Sequence, residues 1–379
     1  MTSIYLDNNA TTRLDPTVAD RMAEVMQMRL ANPASQHQEG ARARRFLEEC
    51  RLSILQGLGA ETAGMSADRL LFTSGGTESN NLALFGLAQP GTRVLISAVE
   101  HPSVTAAAQH LAAGNFDVRA IPVDSDGVIL LEQLERLLRE APTSLVCLMA
   151  ANNETGVIQP IETAARLAHQ HGARIHCDAV QWVGKQPTFF RQWGVDSLSA
   201  SCHKFHGPVG IGVLCLRHGV PLSPMFYGGF QQDGLRPGTE NVVLAAGFQT
   251  ALELALGFDY QTVQRMRDRL EKALLLLNPA VRIHGQQVDR MPHTLNVAFV
   301  GANRQAFLLA ADMQGLRLSV GSACASGSSE PSPVLIAMGL DKALWDSSLR
   351  ISLGRDTAEG EIEQTIAKIG KIYASLQKP

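Results

Sequence analysis

The chain has 379 residues, 45% of them hydrophobic and 18% charged, with a formal net charge of −3. That length exceeds one compact core and implies two domains of an ordinary globular protein. The near-neutral charge gives no reason to expect nucleic acid, and no apolar run reaches the roughly 18 residues of a membrane span. The start, Met1–Asp7, lacks a basic stretch followed by an apolar one, so no signal peptide is read. Six cysteines are scattered at 50, 147, 177, 202, 215 and 324, without the close pairs that bind zinc or shuttle disulfides, which suits a reducing cytoplasm.

In chain order, Asp15-Pro16 is a cap signal opening a helix, with Val18, Met22, Val25 and Met26 on one face. Apolar runs rich in Val, Ile and Leu then predict strands at 69–73, 93–97, 118–123, 144–150, 173–177 and 211–216. Most are separated by segments long enough for a helix, which implies a parallel sheet covered on both faces. A long helical stretch near 241–277 marks the passage to a second domain. That domain holds strands at 294–300 and 349–353 and a closing helix with Ile362, Ile366, Ile369 and Tyr373 on one face. The expected division is a large domain over 16–257 and a small one formed by 1–15 and 258–379.

Lys204 lies in Ser201-Cys202-His203-Lys204, and Asp178 and Gln181 lie in His176-Cys177-Asp178-Ala179-Val180-Gln181. An Asp ending an apolar run, followed by a Lys flanked by Ser and His, suits pyridoxal phosphate. The amine forms a Schiff base with the cofactor aldehyde, and the carboxylate pairs with the pyridinium nitrogen. Alone, such an Asp is more often a helix cap; here it is expected at the C-terminal edge of a parallel sheet, where ligands bind. Gln181 can donate to the cofactor's phenolic oxygen.

Thr73-Ser74-Gly75-Gly76-Thr77-Glu78 follows a strand and opens a helix. Its glycines let backbone approach an anion, and the helix start offers free N–H groups to a phosphate; without a lysine nearby it would be only a turn. His101, also past a strand, can stack on a pyridine ring and move protons, or be a plain loop histidine. Asn152-Asn153-Glu154 is a further strand-end loop in which an Asn can hydrogen-bond a cofactor oxygen. Cys324 sits in a Gly/Ser-rich stretch, 318–331, expected to be a mobile, exposed loop, which makes it a candidate nucleophile. Arg350 heads a strand, where a guanidinium can hold a carboxylate through two hydrogen bonds.

Together these pieces resemble the cysteine desulfurases that feed iron–sulfur cluster assembly, within the fold-type-I pyridoxal-phosphate enzymes. The matching segments are Tyr5–Thr12, Thr73–Asn81, Glu100-His101, Asn152–Gly156, Asp178 with Gln181, Ser201–Lys204, Arg236–Thr239, Gly321–Cys324 and Arg350–Arg355. The resemblance implies an α/β fold: a large domain with a mostly parallel seven-stranded sheet between helices, plus a smaller α+β domain carrying the cysteine loop. It implies that Lys204 holds the cofactor and moves protons, Asp178 keeps the ring nitrogen protonated, Gln181 and Asn153 touch the ring oxygen, and His101 stacks on the ring. It assigns the phosphate to Gly76, Thr77, Ser201 and His203, with Thr239 reaching in from a partner subunit of a homodimer. Arg350 then binds the carboxylate of L-cysteine, and Cys324 takes its sulfur as a persulfide, releasing alanine. No resident metal is implied, although Cys324 could contact a transferred cluster. The chain ends soon after the last helix, where housekeeping relatives extend further. The sulfur acceptor, whether an iron–sulfur scaffold or another protein, therefore stays open, and a nitrogenase-type member fits. Selenocysteine lyase or another lyase or aminotransferase of the same cofactor is the competing reading, and a relay or scaffold protein without catalysis is a third.

Overall fold

A computed structural model describes residues 3–321 and 331–377. Its strands are β1 (Ile4–Tyr5), β2 (Arg69–Thr73), β3 (Arg93–Ser97), β4 (Asp117–Ile121), β5 (Thr143–Met149), β6 (Arg174–Asp178), β7 (Ser197–Ser201), β8 (Gly212–Leu216), β9 (Val281–Ile283), β10 (Thr294–Phe299), β11 (Leu316–Arg317) and β12 (Ser348–Ser352). Seven of them form one sheet in the order β2-β8-β7-β6-β5-β3-β4. All neighbours pair in parallel except at β8, which runs antiparallel to both β2 and β7. Continuous burial along β3, β5, β6 and β8 explains why these segments read as uninterrupted apolar runs rather than alternating ones.

Helices cover both faces, as expected. On one face Leu47, Ile54, Phe205, Phe248 and Leu252 meet Val146, Leu148 and Ile175 of the sheet. On the other, Leu82, Leu84, Val104 and Leu111 meet Leu71, Val94, Cys147 and Leu214. A separate core gathers Ile4 and Leu6 with Leu270, Val297, Phe299, Ile351, Ile369 and Tyr373 around the antiparallel sheet β12-β10-β9. In it the Phe299 and Phe307 rings stack with centroids 4.6 Å apart.

Four expectations need correction. The stretch expected as one helix over 241–277 is two, Val242–Leu256 and Gln261–Leu275, bent by 70°. Gly257 ends the first, and the Asp259 carboxylate accepts from the Gln261 N–H, so the chain turns between them. The strand expected to reach Val123 stops at Ile121, because Pro122 has no N–H for the ladder. Met26 is 60% exposed while Val18 and Val25 are buried, since its position lies off the helix's apolar stripe. Finally, β7, with sequence Ser-Leu-Ser-Ala-Ser, was not expected; three serines hide a fully buried central strand.

The consequence for function is directional. Because β2, β3, β5, β6 and β7 run the same way, the segments following Thr73, Ser97, Met149, Asp178 and Ser201 all emerge at one edge of the sheet.

Candidate active site

At that edge lies a cavity of about 250 Å³ lined by Asn9, Gly76, Thr77, Asn80, His101, Ser103, Asn153, Asp178, Gln181, Ser201, His203, Lys204 and Arg350. Every expected site residue lines it except Thr239 and Cys324. Thr239 is exposed and outside the cavity, on the segment whose Arg236 forks onto Glu78 at 2.8 and 3.2 Å. Cys324 lies outside the described residues.

Lys204 is the last residue of a single 3-10 turn, Cys202–Lys204, at the end of β7. Its Nζ donates to the carbonyls of Asn9 (2.6 Å) and Ala10 (2.7 Å). Asp178, the last residue of β6, accepts from the Val180 N–H through Oδ1 (3.0 Å) and from Asn80 Nδ2 through Oδ2 (2.7 Å). His101 caps the helix Pro102–Ala113, its Nδ1 accepting from the Ser103 N–H at 3.1 Å. Burial lowers the affinity of its imidazole for a proton; the Asp178 charge works against this and the Lys204 ammonium adds to it. His203 is pulled down to about 4 by burial and then by Lys204 and Lys185, so near neutral pH it is an uncharged partner for Thr11 Oγ1, 3.1 Å away.

The Gly-rich turn has the shape an anion needs. The helix Gly76–Leu87 begins there, with its first N–H groups unused by any cap side chain. A Cβ on Gly76 would stand 2.7 Å from Val180 Cγ2, so only glycine leaves the turn in place. Behind it, β8 places Gly212 against Gly75, where a Cβ would come within 2.6 Å of the Gly75 carbonyl carbon.

Arg350 is buried on β12. Its Nη2 meets Asp7 Oδ1 at 2.5 Å, and its Nη1 donates to the carbonyls of Gly321 (2.6 Å) and Asn153 (3.1 Å). Its Nε has no partner among the described residues. A buried N–H without a partner costs about 1–3 kcal/mol, so this guanidinium keeps a donor in reserve beside the cavity for an anionic group. Gln181 turns its amide nitrogen to the Asn9 carbonyl (3.0 Å), while its oxygen accepts from the buried Lys185 amine (3.0 Å). Cradle, carboxylate, amine and ring-sized cavity therefore fit pyridoxal phosphate: Gly76, Thr77, Ser201 and His203 line the cavity around a phosphate's needs, and Asp178, His101 and Lys204 around a pyridine aldehyde's.

Sequence reasoning missed two contributors. Asn80 makes four side-chain hydrogen bonds within this site. Asn9 accepts from Lys204 and Gln181, and reaches Asn153 and Thr294 with its own amide. Asn80 lay in plain view, three residues past Thr77 on the same helix and so on its cavity-facing side.

An open α/β sheet with a lysine, an aspartate and a Gly-rich helix start converging on its C-terminal edge defines an enzyme of the fold-type-I class. The chain belongs to the aminotransferase class-V family, whose model matches residues 4–365. It is 42% identical over 381 residues to a cysteine desulfurase of Cereibacter sphaeroides, covering 100% of this chain and 97% of the relative. It is 39% identical over 383 residues to the cysteine desulfurase NifS of Azotobacter vinelandii, covering 100% and 94%. The solved NifS-like protein of Rickettsia africae superimposes with a TM-score of 0.89 at 33% identity, covering 98% of this chain and 99% of that one.

Proposed function

We propose that this chain is a pyridoxal-phosphate-dependent cysteine desulfurase that converts L-cysteine to L-alanine and carries the sulfur away as a persulfide on Cys324. One observation carries the reading: Lys204, Asp178 and Arg350 line one cavity in a chain similar over its whole length to cysteine desulfurases. When bound, the cofactor supplies an electron sink for charge at the substrate's α-carbon.

The chain's own residues do the rest. Lys204 holds the cofactor and then moves the proton at the α-carbon. Asp178 would pair with the cofactor's ring nitrogen and keep it protonated. His101 would stack on the ring and take part in proton transfer, and Gln181 and Asn153 would hydrogen-bond the ring oxygen. Arg350 grips the substrate carboxylate with the N–H groups that Asp7 and the two carbonyls leave over. The Cys324 thiolate attacks the substrate sulfur. An S–S bond forms as the Cβ–S bond breaks, and the carbon left behind takes a proton to become alanine.

The assembly reading is a homodimer in which Thr239 completes the partner's phosphate site. Its support is the position of Thr239 outside its own cavity, on a segment where Phe226, Tyr227 and Phe230 are exposed. The sulfur recipient is an iron–sulfur scaffold or another acceptor protein, and the setting is the cytoplasm. Among the described residues no single helix is long and apolar enough to cross a membrane.

The test is Cys324→Ser. It should bind cysteine and change the visible spectrum, yet form almost no alanine, because a hydroxyl is a far weaker nucleophile than a thiolate. Mass spectrometry of the wild-type peptide containing residue 324 should show one added sulfur. Near-normal alanine from the variant, with no added sulfur on the wild-type peptide, would move the chain to the competing lyase class.

A further inference from the structure

The Asn80 side chain is 1% exposed and uses all four of its hydrogen-bonding positions. Its Nδ2 donates to Asp178 Oδ2 (2.7 Å) and Ser103 Oγ (2.8 Å). Its Oδ1 accepts from Ser199 Oγ (2.5 Å) and faces His176 Nε2 (3.0 Å). The orientation of this amide follows from chemistry. A carboxylate offers only lone pairs, so the atom facing Asp178 must be the nitrogen; the reverse flip would set two acceptors against each other.

The remaining protons then follow in sequence. With Oδ1 turned toward it, His176 Nε2 is the N–H, so its Nδ1 accepts from Ser197 Oγ at 2.8 Å. Burial holds His176 neutral, down to about 3, so it has only that one proton. Ser103 Oγ accepts from Asn80 and lies 2.8 Å from His101 Nδ1, to which its own proton points because that nitrogen is already an acceptor for backbone. The Ser103 backbone N–H also donates to this Nδ1. His101 Nδ1 therefore bears no proton, and its proton sits on Nε2.

We infer that Asn80 is a positioning residue that locks both groups flanking the cofactor ring: it fixes the Asp178 carboxylate directly and, through Ser103, holds His101 as the Nε2-protonated tautomer. The chain of donors runs one way, from Ser197 through His176, Asn80 and Ser103 to His101. His101 accordingly carries its one proton on Nε2, as a hydrogen-bond donor, while its Nδ1 lone pair is engaged by Ser103. This inference rests on the pyridoxal-phosphate reading for what Asp178 and His101 face, but the hydrogen-bond polarity stands without it.

The test is NMR of the holoenzyme carrying ring-¹⁵N histidine, with the His101 signals identified by their loss in His101→Gln. Wild type should show an unprotonated Nδ1 and a protonated Nε2. Ser103→Ala should shift both His101 ring signals. Asn80→Leu should shift the His101 signals and also raise the equilibrium constant for cofactor loss on dilution about tenfold, the scale of one lost hydrogen bond to a charged group. A protonated Nδ1 in wild type overturns the inference, as do unchanged His101 signals in Ser103→Ala or Asn80→Leu. If Asn80→Leu does not fold, the wild-type and Ser103→Ala spectra still decide. A chain that takes up no pyridoxal phosphate would sink the proposed cofactor instead, and the tautomer would still be read from the cofactor-free protein.

Discussion

Glu100 is a carboxyl group wholly enclosed one residue before His101. Its Oε1 accepts from Ser97 Oγ and from the Met149 N–H, both at 2.7 Å, and its Oε2 has no partner among the described residues. Burial raises its pKa, the Ser97 hydrogen bond resists, and the Asp178 charge raises it further; it moves from an ordinary 4.5 to about 8. Between those values the folded chain holds a proton that the unfolded chain has released. The folded state thus binds more protons, and stability falls as pH rises through this window. The contribution is fully present below 4.5 and is lost by about pH 8. At about 1.4 kcal/mol per pH unit the interval amounts to about 5 kcal/mol. Glu100→Gln keeps the Oε1 acceptor and cannot ionise. Its amide places a donor where Oε2 stood, at a cost of about 1–3 kcal/mol that does not change with pH. Urea unfolding of both proteins at one fixed concentration, from pH 5 to pH 9, checks the reasoning. The variant should gain several kcal/mol on the wild type, by about the magnitude above, as pH rises across the range. A difference between the two that stays constant with pH would refute the neutral, buried Glu100.

Arg350→Lys keeps one positive charge but loses the fork; the KM for cysteine should rise about 100-fold, two charge-assisted hydrogen bonds being at stake, and an unchanged KM would remove Arg350 from carboxylate binding. Gly212→Ala drives a Cβ to 2.6 Å from the Gly75 carbonyl carbon, so it should displace the Gly-rich turn, weaken cofactor retention and cost about 1–3 kcal/mol of stability. Retention equal to wild type would show that the turn does not rest on β8. Mixing Lys204→Ala with a Thr239→Val variant, each impaired alone, should restore activity in heterodimers that contain one fully equipped site. An active monomer by sedimentation would reject the shared site.

Much of the fold was readable because burial on both faces leaves a plain apolar signal. The strands ending at Thr73, Ser97, Met149 and Asp178 declare themselves through Val, Ile and Leu, and each is followed by the polar residues of the site. Where polar atoms are buried as partners of one another, that signal fails. β7 is such a case: Ser197 and Ser199 point inward to hydrogen-bond His176 and Asn80, so a central strand has the composition of a loop. The helix break at Gly257–Tyr260 failed for the opposite reason. Both helices present apolar faces to different cores, and the two patterns run together in sequence.

The N-terminal segment shows what composition cannot carry at all. Asp7-Asn8-Asn9 looks like a turn, and its weight comes from partners 144 to 344 residues away. Asp7 meets Arg350, the Asn9 carbonyl takes Lys204 and Gln181, and the Asn9 amide spans Asn153 and Thr294. One short stretch thus touches the loops after β5, β6 and β7 and the sheet of the second core. The Lys204 amine, the Gln181 amide and the Arg350 guanidinium hang on a common strut whose other end, at Ile4 and Leu6, is buried in the second core. A shift of the second core that carries Asp7–Asn9 with it would move the Lys204 and Arg350 contacts together. On the proposed roles of Lys204 and Arg350, cofactor attachment and substrate carboxylate binding would be coupled by covalent connection along the chain, with no relay of side chains between them.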